Sequence, residues 1–383
     1  MRVVLIVRRL MDVGGAQTQL RLLAAELTRR GHRVTILTER VAHIRPPARI
    51  DAIPVHPIRS VAVRCLGSLF YAAGLMWYLI ARRRTYDVVH VFLLKHSALA
   101  AVAAGALARA PVVVRPACAG PFGDIEPLGT RPVWRRVMAV CRYASAFVAL
   151  SDELIGELSA FGCPRGRIHR IASGMDLPPT VAPPGEAPPT VLFAGRLDAQ
   201  KGLTGLLHAW RQVADRRPEA RLVLLGDGPQ RRELAALARS LGVTESVTLA
   251  GVVHDVPDRL ARSRAFVLPS VGEGMSSALL EAMAAGRAVI ATRVSGSVEV
   301  IEDGRNGLLV APNDRDGLAA ALGRVLDEPG LADDLGRAAH ETIARRYSVE
   351  RLANDHEDLY HHLLRTGGVR NRRPKGVRNL QGS

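Results

Sequence analysis

Cysteine is scarce in this sequence, and the cysteines that occur stand apart from one another. The chain of 383 residues has four cysteines, with no C-x-x-C pair and no nearby cluster of histidines. This spacing suits neither a disulfide framework nor a zinc site, and it is typical of a protein in a reducing compartment. We therefore expect a cytoplasmic protein without structural disulfides.

Long apolar runs are also absent. No run reaches the roughly 20 residues that a membrane-spanning helix needs, and the run at residues 1–10 breaks into polar sequence too early for a signal peptide. Residues 65–80 are almost free of polar side chains and have arginines at 64 and 82–84. We predict a buried helix of the first domain here. The alternative is a helix whose apolar face and basic flanks rest on anionic lipid at the inner face of the cell membrane.

Acidic residues are few in the first half of the chain. Residues 1–180 hold 25 Lys and Arg against 11 Asp and Glu, whereas residues 181–364 hold 21 against 25, and the tail 365–383 has six basic residues and no acid. A basic half favours an anionic partner, such as a membrane surface, a phosphorylated lipid or nucleic acid. Nucleic acid is not expected, because the basic tail has no interleaved aromatic residues and no recognised motif.

Short apolar segments alternate with amphipathic segments along both halves, which predicts two α/β domains with parallel sheets. The predicted strands are residues 3–7, 33–38, 87–92, 111–115, 146–151, 190–195, 221–226, 246–251, 265–270 and 288–292. Two consecutive doubly wound domains leave a cleft between them, at the carboxyl ends of their strands.

The domain boundaries follow from proline content and periodicity. The predicted units are a first Rossmann-like domain (1–176), a linker (177–189), a second Rossmann-like domain (190–345), a C-terminal helix (346–364) and a disordered tail (365–383). Six prolines, at 178–179, 183–184 and 188–189, prevent a regular helix or central strand in the linker. The tail lacks apolar periodicity.

Two basic side chains follow the first predicted strand of the second half. Arg196 and Lys201 lie five residues apart, before a leucine-rich helix. Arginine offers a planar fork of donors to phosphate oxygens and lysine a compact charge, so the pair suits a diphosphate. Taken alone, the pair is better explained as two basic residues of a solvated loop. The next predicted strand ends in a glycine-rich turn containing Gly226, where a backbone can approach an anion closely.

Two glutamates eight residues apart, Glu273 and Glu281, lie on either side of a predicted helix start. Residues 274–277 between them would present free backbone amides to phosphate or sugar oxygens. Glu281, two turns into the helix, would accept hydrogen bonds from vicinal hydroxyls such as those of a ribose, and Glu273 would reach the hydroxyls of a transferred sugar. Alternatively, Glu273 is an ordinary acid at a helix N-terminus.

These segments together resemble the retaining, family-four glycosyltransferases of the GT-B fold, which share an E-x7-E element. The matching segments, collinear up to about Leu364, are GGAQ (14–17), DVVHV, GRLDAQKG, LLGDGP, EGMSSALLEAMAAG and VSGSVEVIEDGRNGLLV. The resemblance implies an α/β fold with two facing Rossmann-like domains, an acceptor-binding N-terminal domain and a C-terminal domain that binds the nucleotide sugar. It also implies that the C-terminal helix crosses back to the N-terminal domain.

The resemblance further implies a role for each matched residue. Arg196 and Lys201 would hold the donor diphosphate and stabilise the departing nucleotide, and Glu273 would meet the donor sugar. These three form the predicted catalytic group. The remaining predicted donor-binding residues are Gly15, Gly226, His254, Gly274, Met275, Ser276, Ser277 and Glu281. Charge on the leaving diphosphate would be neutralised by side-chain cations and helix-start amides, without a metal or a cofactor.

The sequence departs from this family at one position. Many relatives have a histidine after the strand that corresponds to PVVVR, whereas this chain reads RPACAGPFGD from residue 115 to residue 124. We do not transfer the role to His90 or His96. Arg115 and Asp124 are the candidates for contacts with the acceptor or the sugar.

Asp314 and Asp316 spell the D-x-D of metal-dependent glycosyltransferases of another fold. They follow Pro312-Asn313 and precede a predicted helix, so N-capping explains them better and we predict no metal site.

The predicted function is transfer of a hexosyl group, with retention, from a nucleotide-diphosphate sugar to a polysaccharide or lipid-linked glycan acceptor. Two alternatives remain open. One is a nucleotide-sugar epimerase, which needs no acceptor, and the other is a non-catalytic protein that binds sugar nucleotides.

Overall fold

The chain folds into two parallel sheets, each covered by helices on both faces. The computed structural model describes residues 1–10, 14–40, 46–60, 66–128, 132–178, 180–181 and 188–367. The predicted linker lies mostly outside these residues, as do Arg64, Cys65 and the tail from residue 368, so the predictions made there stay predictions.

The first sheet has eight strands in the order β3-β4-β2-β1-β5-β6-β7-β8, with β3 antiparallel and the other pairs parallel. Its strands are β1 (Arg2–Ile6), β2 (Arg33–Arg40), β3 (Arg49–Ile50), β4 (Ile53–Arg59), β5 (Val88–Phe92), β6 (Val112–Arg115), β7 (Ala146–Ala149) and β8 (Ile168–Arg170). Its helices are α1 (Gly15–Arg29), α2 (Leu66–Ala81), α3 (His96–Ala108), α4 (Pro132–Met138) and α5 (Asp152–Ala160).

The second sheet has six parallel strands in the order β11-β10-β9-β12-β13-β14, which is the strand order of Rossmann sheets. Its strands are β9 (Thr190–Ala194), β10 (Arg221–Leu225), β11 (Val247–Gly251), β12 (Ala265–Leu268), β13 (Ala288–Thr292) and β14 (Leu308–Val310). The helices are α6 (Leu203–Arg216), α7 (Arg231–Ser240), α8 (Val256–Arg262), α9 (Ser277–Ala284), α10 (Ser295–Val298), α11 (Arg315–Asp327), α12 (Pro329–Arg346) and α13 (Val349–Arg365).

All ten predicted strands are present, and four others were missed. The central strands β5, β6 and β7 are buried at every residue, because helices cover both faces of a parallel sheet. This is why their continuous apolar sequence was easy to recognise. The missed strands β3, β4, β8 and β14 lie at or next to sheet edges, where runs are short and where β4 tolerates Pro54 and Pro57.

The last helix, α13, packs against the first domain. Leu352, Ala353 and Tyr360 are buried in one core with Val3 and Leu5 of β1. The Tyr360 hydroxyl lies 2.7 Å from Nδ1 of the buried His90 on β5. The prediction of a helix that crosses back to the N-terminal domain is therefore confirmed, and His90 has a packing role inside the first domain.

The helix predicted at residues 65–80 is α2, and only one of its sides is buried. Tyr71, Leu75 and Leu79 pack on the sheet, whereas Trp77 is 70% exposed and Leu69 64%. The prediction of a buried helix is thus wrong for the outer side, because no further layer among the described residues covers α2. In the part of the chain that the structure describes, no helix has both the length and the apolar character needed to cross a bilayer.

Candidate functional site

The N-termini of two helices, one from each domain, meet in the cleft. Helix α1 begins at Gly15 after β1, and α9 begins at Ser277 after β12. The Ser277 hydroxyl lies 3.4 Å from the carbonyl oxygen of Gly15. The first amides of a helix have no partner within it, and the helix dipole favours negative charge at this end. Two converging helix starts therefore form a site suited to an anion.

Gln19 connects the two domains at this point. Its side-chain amide donates to the carbonyl of Gly174 at 2.8 Å and lies 3.4 Å from the hydroxyl of Ser277, and the amide of Gly174 donates to its Oε1 at 2.9 Å. The side chain is 2% exposed. Sequence reasoning missed Gln19, because its partners lie 155 and 258 residues away in the chain.

Lys201 and Glu273 form an ion pair beside these helix starts. Lys201 ends the 3-10 turn Ala199–Lys201, and its Nζ contacts Oε1 of Glu273. The hydroxyl of Ser270, a residue that the sequence did not indicate, donates to the same oxygen at 2.7 Å. The interpretation of Glu273 as a helix N-terminal acid is wrong, because α9 begins four residues later and has no acid in its first turn.

Arg196 has a different environment from Lys201. Its side chain is 70% exposed, and its Nε lies 3.3 Å from the carboxylate of Asp198. The structure therefore shows no contact between Arg196 and the Lys201–Glu273 pair among the described residues.

Glu281 lies on α9, four residues after Ser277. Among the described residues it forms neither an ion pair nor a side-chain hydrogen bond. Burial raises the pKa of its carboxyl from 4.5 to about 7. A carboxylate that is shielded from water and unpaired is suited to accept hydrogen bonds from the hydroxyls of a ligand.

The turn before α9 touches the first domain through Gly274 and Met275, and it ends at the capping residue Ser276. A Cβ at Gly274 would lie 2.4 Å from the carbonyl oxygen of Ala117, which follows β6. The sulfur of Met275 lies 3.2 Å from the amide nitrogen of Ser173. The hydroxyl of Ser276 accepts a hydrogen bond from the amide of Leu279 and so caps α9. The loop after β6 and the turn before α9 are therefore in contact across the cleft.

Glycines also bring the strand ends of the second domain together. Gly226, with φ of 125°, follows β10, and a Cβ there would lie 1.9 Å from the carbonyl of Gly195 after β9. Gly226 therefore has a clear packing role. His254, predicted to line the base, lies exposed in the loop between β11 and α8.

Arg115 and Asp124, the two acceptor candidates, are both buried but differ in their contacts. Arg115 donates to the hydroxyl of Ser173 at 2.9 Å, has no carboxylate partner among the described residues, and its burial lowers its pKa to about 10. Asp124 accepts hydrogen bonds from the amides of Leu94 and Ala117, each at 2.9 Å. Asp124 thus connects the loops after β5 and β6. Arg115 carries a buried positive charge that no carboxylate among the described residues neutralises.

The D-x-D residues have capping and surface roles. Asp314 accepts a hydrogen bond from the amide of Gly317 at 2.8 Å as the N-cap of α11, which confirms the capping prediction. Asp316 accepts from Gln212 at 2.7 Å. Within the described ranges, no three His, Cys, Asp or Glu side chains are grouped to hold a metal ion.

Comparison with known proteins matches both halves of the chain. Residues 13–178 match the family model Glycosyltransferase Family 4, and residues 188–328 match Glycosyl transferases group 1. N-acetyl-alpha-D-glucosaminyl L-malate synthase of Bacillus anthracis is 25% identical over 92% of this chain and 95% of its own length. The lipopolysaccharide core biosynthesis glycosyltransferase LpsE of Rhizobium meliloti is 35% identical over 47% of this chain and 51% of its own length. Alignments with alpha-D-kanosaminyltransferase of Streptomyces kanamyceticus likewise span only 46% of that relative.

Solved structures share the fold over nearly the whole chain. Sucrose-phosphate synthase from Thermosynechococcus elongatus has a TM-score of 0.80 at 21% identity, covering 95% of this chain and 99% of its own. Anabaena HepE, solved in complex with UDP and glucose, has a TM-score of 0.78 at 21% identity, covering 95% and 100%.

Proposed function

We infer the reaction from one premise, namely that this chain belongs to the family-four glycosyltransferases of the GT-B fold. We propose that it transfers a hexosyl group from a nucleotide-diphosphate sugar to a glycan acceptor with retention of configuration. The observation that carries the proposal is the convergence of the N-termini of α1 and α9 beside Lys201 and Glu273. This arrangement suits a ligand with a diphosphate at one end and sugar hydroxyls at the other.

Each side chain then has a role in the proposed reaction. When the bond between the anomeric carbon and the phosphate oxygen breaks, negative charge develops on the diphosphate. Lys201 and the first amides of the two helices would stabilise this charge. Glu273, held by Ser270, would accept hydrogen bonds from the sugar, and Glu281 from the ribose. No step requires a metal or a cofactor.

Arg196 and His254 keep their proposed roles at the diphosphate and the base, and both are exposed in the structure. For these residues, binding of the donor would have to draw the side chain from solvent toward the ligand. Exposed groups of this kind contribute less than enclosed ones, because water competes for them. We therefore expect weaker effects from their replacement than from replacement of Lys201.

The donor and acceptor are proposed from the relatives. HepE was solved with UDP and glucose, so UDP-sugars are the first donors to test. The LpsE relative acts in lipopolysaccharide core biosynthesis, which favours a polysaccharide or lipid-linked acceptor. We propose Arg115 on the acceptor side, because an anionic group of the acceptor would neutralise its buried charge. A cytoplasmic location is proposed on the buried free thiols of Cys118, Cys141 and Cys163.

The experiment is a thermal-shift screen with UDP-, GDP-, ADP- and TDP-sugars, followed by turnover with the donor that stabilises the protein. We expect Lys201→Ala to lower kcat/KM about 100-fold or more, as for other lost transition-state donors. Because Lys201→Ala leaves Glu273 buried and unpaired, the double variant Lys201→Ala/Glu273→Ala serves as a second test. Arg305→Ala, an exposed arginine paired with Glu302 in the same domain, is the control.

The outcomes separate the alternatives. Turnover of the folded Lys201 variants at the control rate would show that the site assignment is wrong. Donor binding without turnover on any acceptor would favour a non-catalytic sugar-nucleotide-binding protein. Conversion of the donor sugar without an acceptor would indicate an epimerase, an alternative to which the matching glycosyltransferase models give no support.

A further inference from the structure

Large apolar side chains are exposed together on one side of the first domain. In the described part of the chain, nine of the fifteen exposed large apolar side chains belong to α2, α3, α4 and the 3-10 turn Ala139–Tyr143 that follows α4. They are Leu69, Phe70, Trp77, Ile80, Leu107, Trp134, Val137, Val140 and Tyr143. We call this surface the apolar helical face. Soluble proteins rarely expose so large a group of neighbouring apolar side chains without a binding role.

These helices form one continuous layer. Helix α2 packs along α3, and α3 packs against the turn after α4. The ring of His96, at the start of α3, lies 4.9 Å from that of Trp134 on α4. The inner residues Tyr71, Ala101 and Cys141 share one core against the same side of the sheet. The outer sides of the helices therefore face solvent in the same direction.

The helices of this face carry no acidic residue. The segments 66–81, 96–108 and 132–143 contain no Asp or Glu. Exposed arginines lie within the last segment at positions 135 and 136 and just beyond the others at 82, 84 and 109, and none of these forms an ion pair with a described residue. Several arginines of the second domain do pair with neighbouring acids, as in Arg259–Asp255 at 2.9 Å and Arg337–Asp334 at 3.0 Å.

We propose that the apolar helical face docks on an anionic lipid surface. Trp77 and Trp134 are 70% and 41% exposed, whereas Trp210 is fully buried. Tryptophan favours the headgroup level of a bilayer, where its ring is in an apolar environment and its N–H can reach water. The unpaired arginines would bind lipid phosphates, and the apolar side chains would enter the boundary of the acyl region. The chain would lie on the membrane and not cross it.

The charges also argue against a second copy of the chain as the occupant. A symmetric dimer through this face would place the same surface of both copies together. The arginines that border the face would then meet their own equivalents without acids to neutralise them, which is unfavourable. Anionic lipid satisfies the apolar and the basic residues at once.

The apolar helical face extends from the cleft end of the first domain, where Leu69 and Phe70 lie near the start of α2, to the opposite end. Helices α2 and α3 run from the carboxyl ends of the strands, which face the cleft, toward the opposite end of the sheet. If the proposed transfer is correct, a lipid-linked acceptor would reach the cleft by moving within the membrane plane. Lipid docking itself does not depend on the transfer reaction, because it needs neither donor nor acceptor.

The test is binding of the full chain to vesicles. Binding to phosphatidylcholine vesicles that contain about 30% phosphatidylglycerol should exceed binding to pure phosphatidylcholine about tenfold or more. Binding should also weaken as salt rises from about 0.1 to about 0.5 M, because screening shortens the range of the arginine charges. Vesicles with brominated acyl chains should quench the fluorescence of Trp77 and Trp134 but not that of the buried Trp210.

Two matched pairs of variants locate the surface. Trp77→Ser/Tyr143→Ser should lower vesicle binding about tenfold or more, whereas Val298→Ser/Leu364→Ser, at exposed apolar positions elsewhere, should leave it unchanged. Arg135→Gln/Arg136→Gln should remove much of the salt dependence, and Arg305→Gln/Arg337→Gln should not. All variants keep the basic tail, so the tail cannot explain a difference between them.

Three results would overturn the proposal. The proposal is wrong if the folded protein does not bind phosphatidylglycerol vesicles. It is also wrong if the Trp77/Tyr143 variant binds them as well as its control does. The third result is a wild-type protein that is a dimer and does not bind vesicles, together with a Trp77/Tyr143 variant that is a monomer. This result would identify a second copy of the chain as the occupant of the apolar helical face. Failure of the transfer reaction with intact vesicle binding would count against the proposed function only.

Discussion

Burial changes the pKa of the Glu281 carboxyl group, which is proposed to bind the ribose of the donor. Its pKa is raised from 4.5 to about 7 by burial, so the folded protein binds a proton more tightly than the unfolded chain does. This contribution to stability is fully present below pH 4.5 and is lost as the pH rises through about 7. Above that pH the folded protein holds an unpaired carboxylate that a ligand hydroxyl would stabilise.

The Glu281→Gln variant should therefore lack the part of the pH dependence of the unfolding free energy that Glu281 causes. Between pH 5 and 8, the free energy of unfolding of the wild type should fall relative to the variant by on the order of 1–3 kcal/mol. Urea denaturation across this range measures the difference. The affinity of the wild type for the nucleotide donor should rise over the same range, because the charged carboxylate is the better acceptor.

Glu299→Gln is the control for this measurement, since Glu299 already pairs with Arg170 and has no hydroxyl ligand to receive. Parallel pH profiles of the wild type and Glu281→Gln would contradict the assignment of the raised pKa to Glu281.

At the residue scale, the sequence predicted Lys201, Glu273 and Glu281 but not how they are held. Their spacing resembled a known element, and their positions at strand ends and a helix start followed from the periodicity. The ion pair of Lys201 with Glu273 and the hydrogen bond from Ser270 depend on the exact path of the turn between β12 and α9. That path is set by packing, so the sequence did not reveal it.

At the level of elements, the turn before α9 is fixed by α10. A Cβ at Gly296, in α10, would lie 1.4 Å from the carbonyl oxygen of Gly274 and 3.0 Å from the amide nitrogen of Met275. No side chain fits this space, because both atoms belong to the backbone. The turn that would contact the donor therefore depends on a glycine in a neighbouring helix.

Gly296→Ala should displace the turn and weaken donor binding about tenfold or more, with a loss of unfolding free energy of about 1–3 kcal/mol. Thermal shift with the donor and urea denaturation measure the two effects. Gly323→Ala, in the middle of α11 with no atom within 4 Å of the added Cβ, is the control and should be neutral or stabilising. Equal donor affinity in the two variants would show that the turn does not contact the donor.

The elements themselves were the most predictable level. Central strands were recognised because parallel sheets bury both faces, and so their sequences are continuously apolar. Edge strands and the exposed side of α2 were not recognised. An apolar sequence predicts that a segment is buried, but it does not show which neighbouring element covers the segment. For α2, no neighbour among the described residues covers the outer side.

At the scale of the whole molecule, the two domains are joined through buried polar contacts as well as through the chain. Gln19 of α1 bonds to Gly174, and it also lies near Ser277 of the second domain. Arg30 of α1 pairs with Glu357 of α13 at 2.5 Å. These polar contacts add to the apolar packing of α13 on the first domain, and together they fix the relative placement of the domains.

The Gln19→Met variant keeps the length of the side chain but removes these hydrogen bonds. Because it leaves the amide and carbonyl of Gly174 buried without partners, the free energy of unfolding should fall by about 1–3 kcal/mol. Urea denaturation measures this, and Gln212→Met, which removes an exposed bond to Asp316, is the control. A loss no larger than that of the control would show that the hydrogen bonds between Gln19 and Gly174 do not stabilise the fold.

The return of the last helix was implied only by the resemblance to a known family. The sequence by itself determined the fold class and the chemical types present at the cleft. These follow from local periodicity and from short motifs, whose signals lie within a few residues of each other. The tertiary structure alone decided that α1 and α9 meet at their N-termini, that Gln19 joins the domains, and that Asp124 accepts hydrogen bonds from two loops of the first domain. It also decided that the apolar side chains of three helices form one exposed face. Each of these depends on distances between segments far apart in the chain, which only the packing of the sheets and helices fixes.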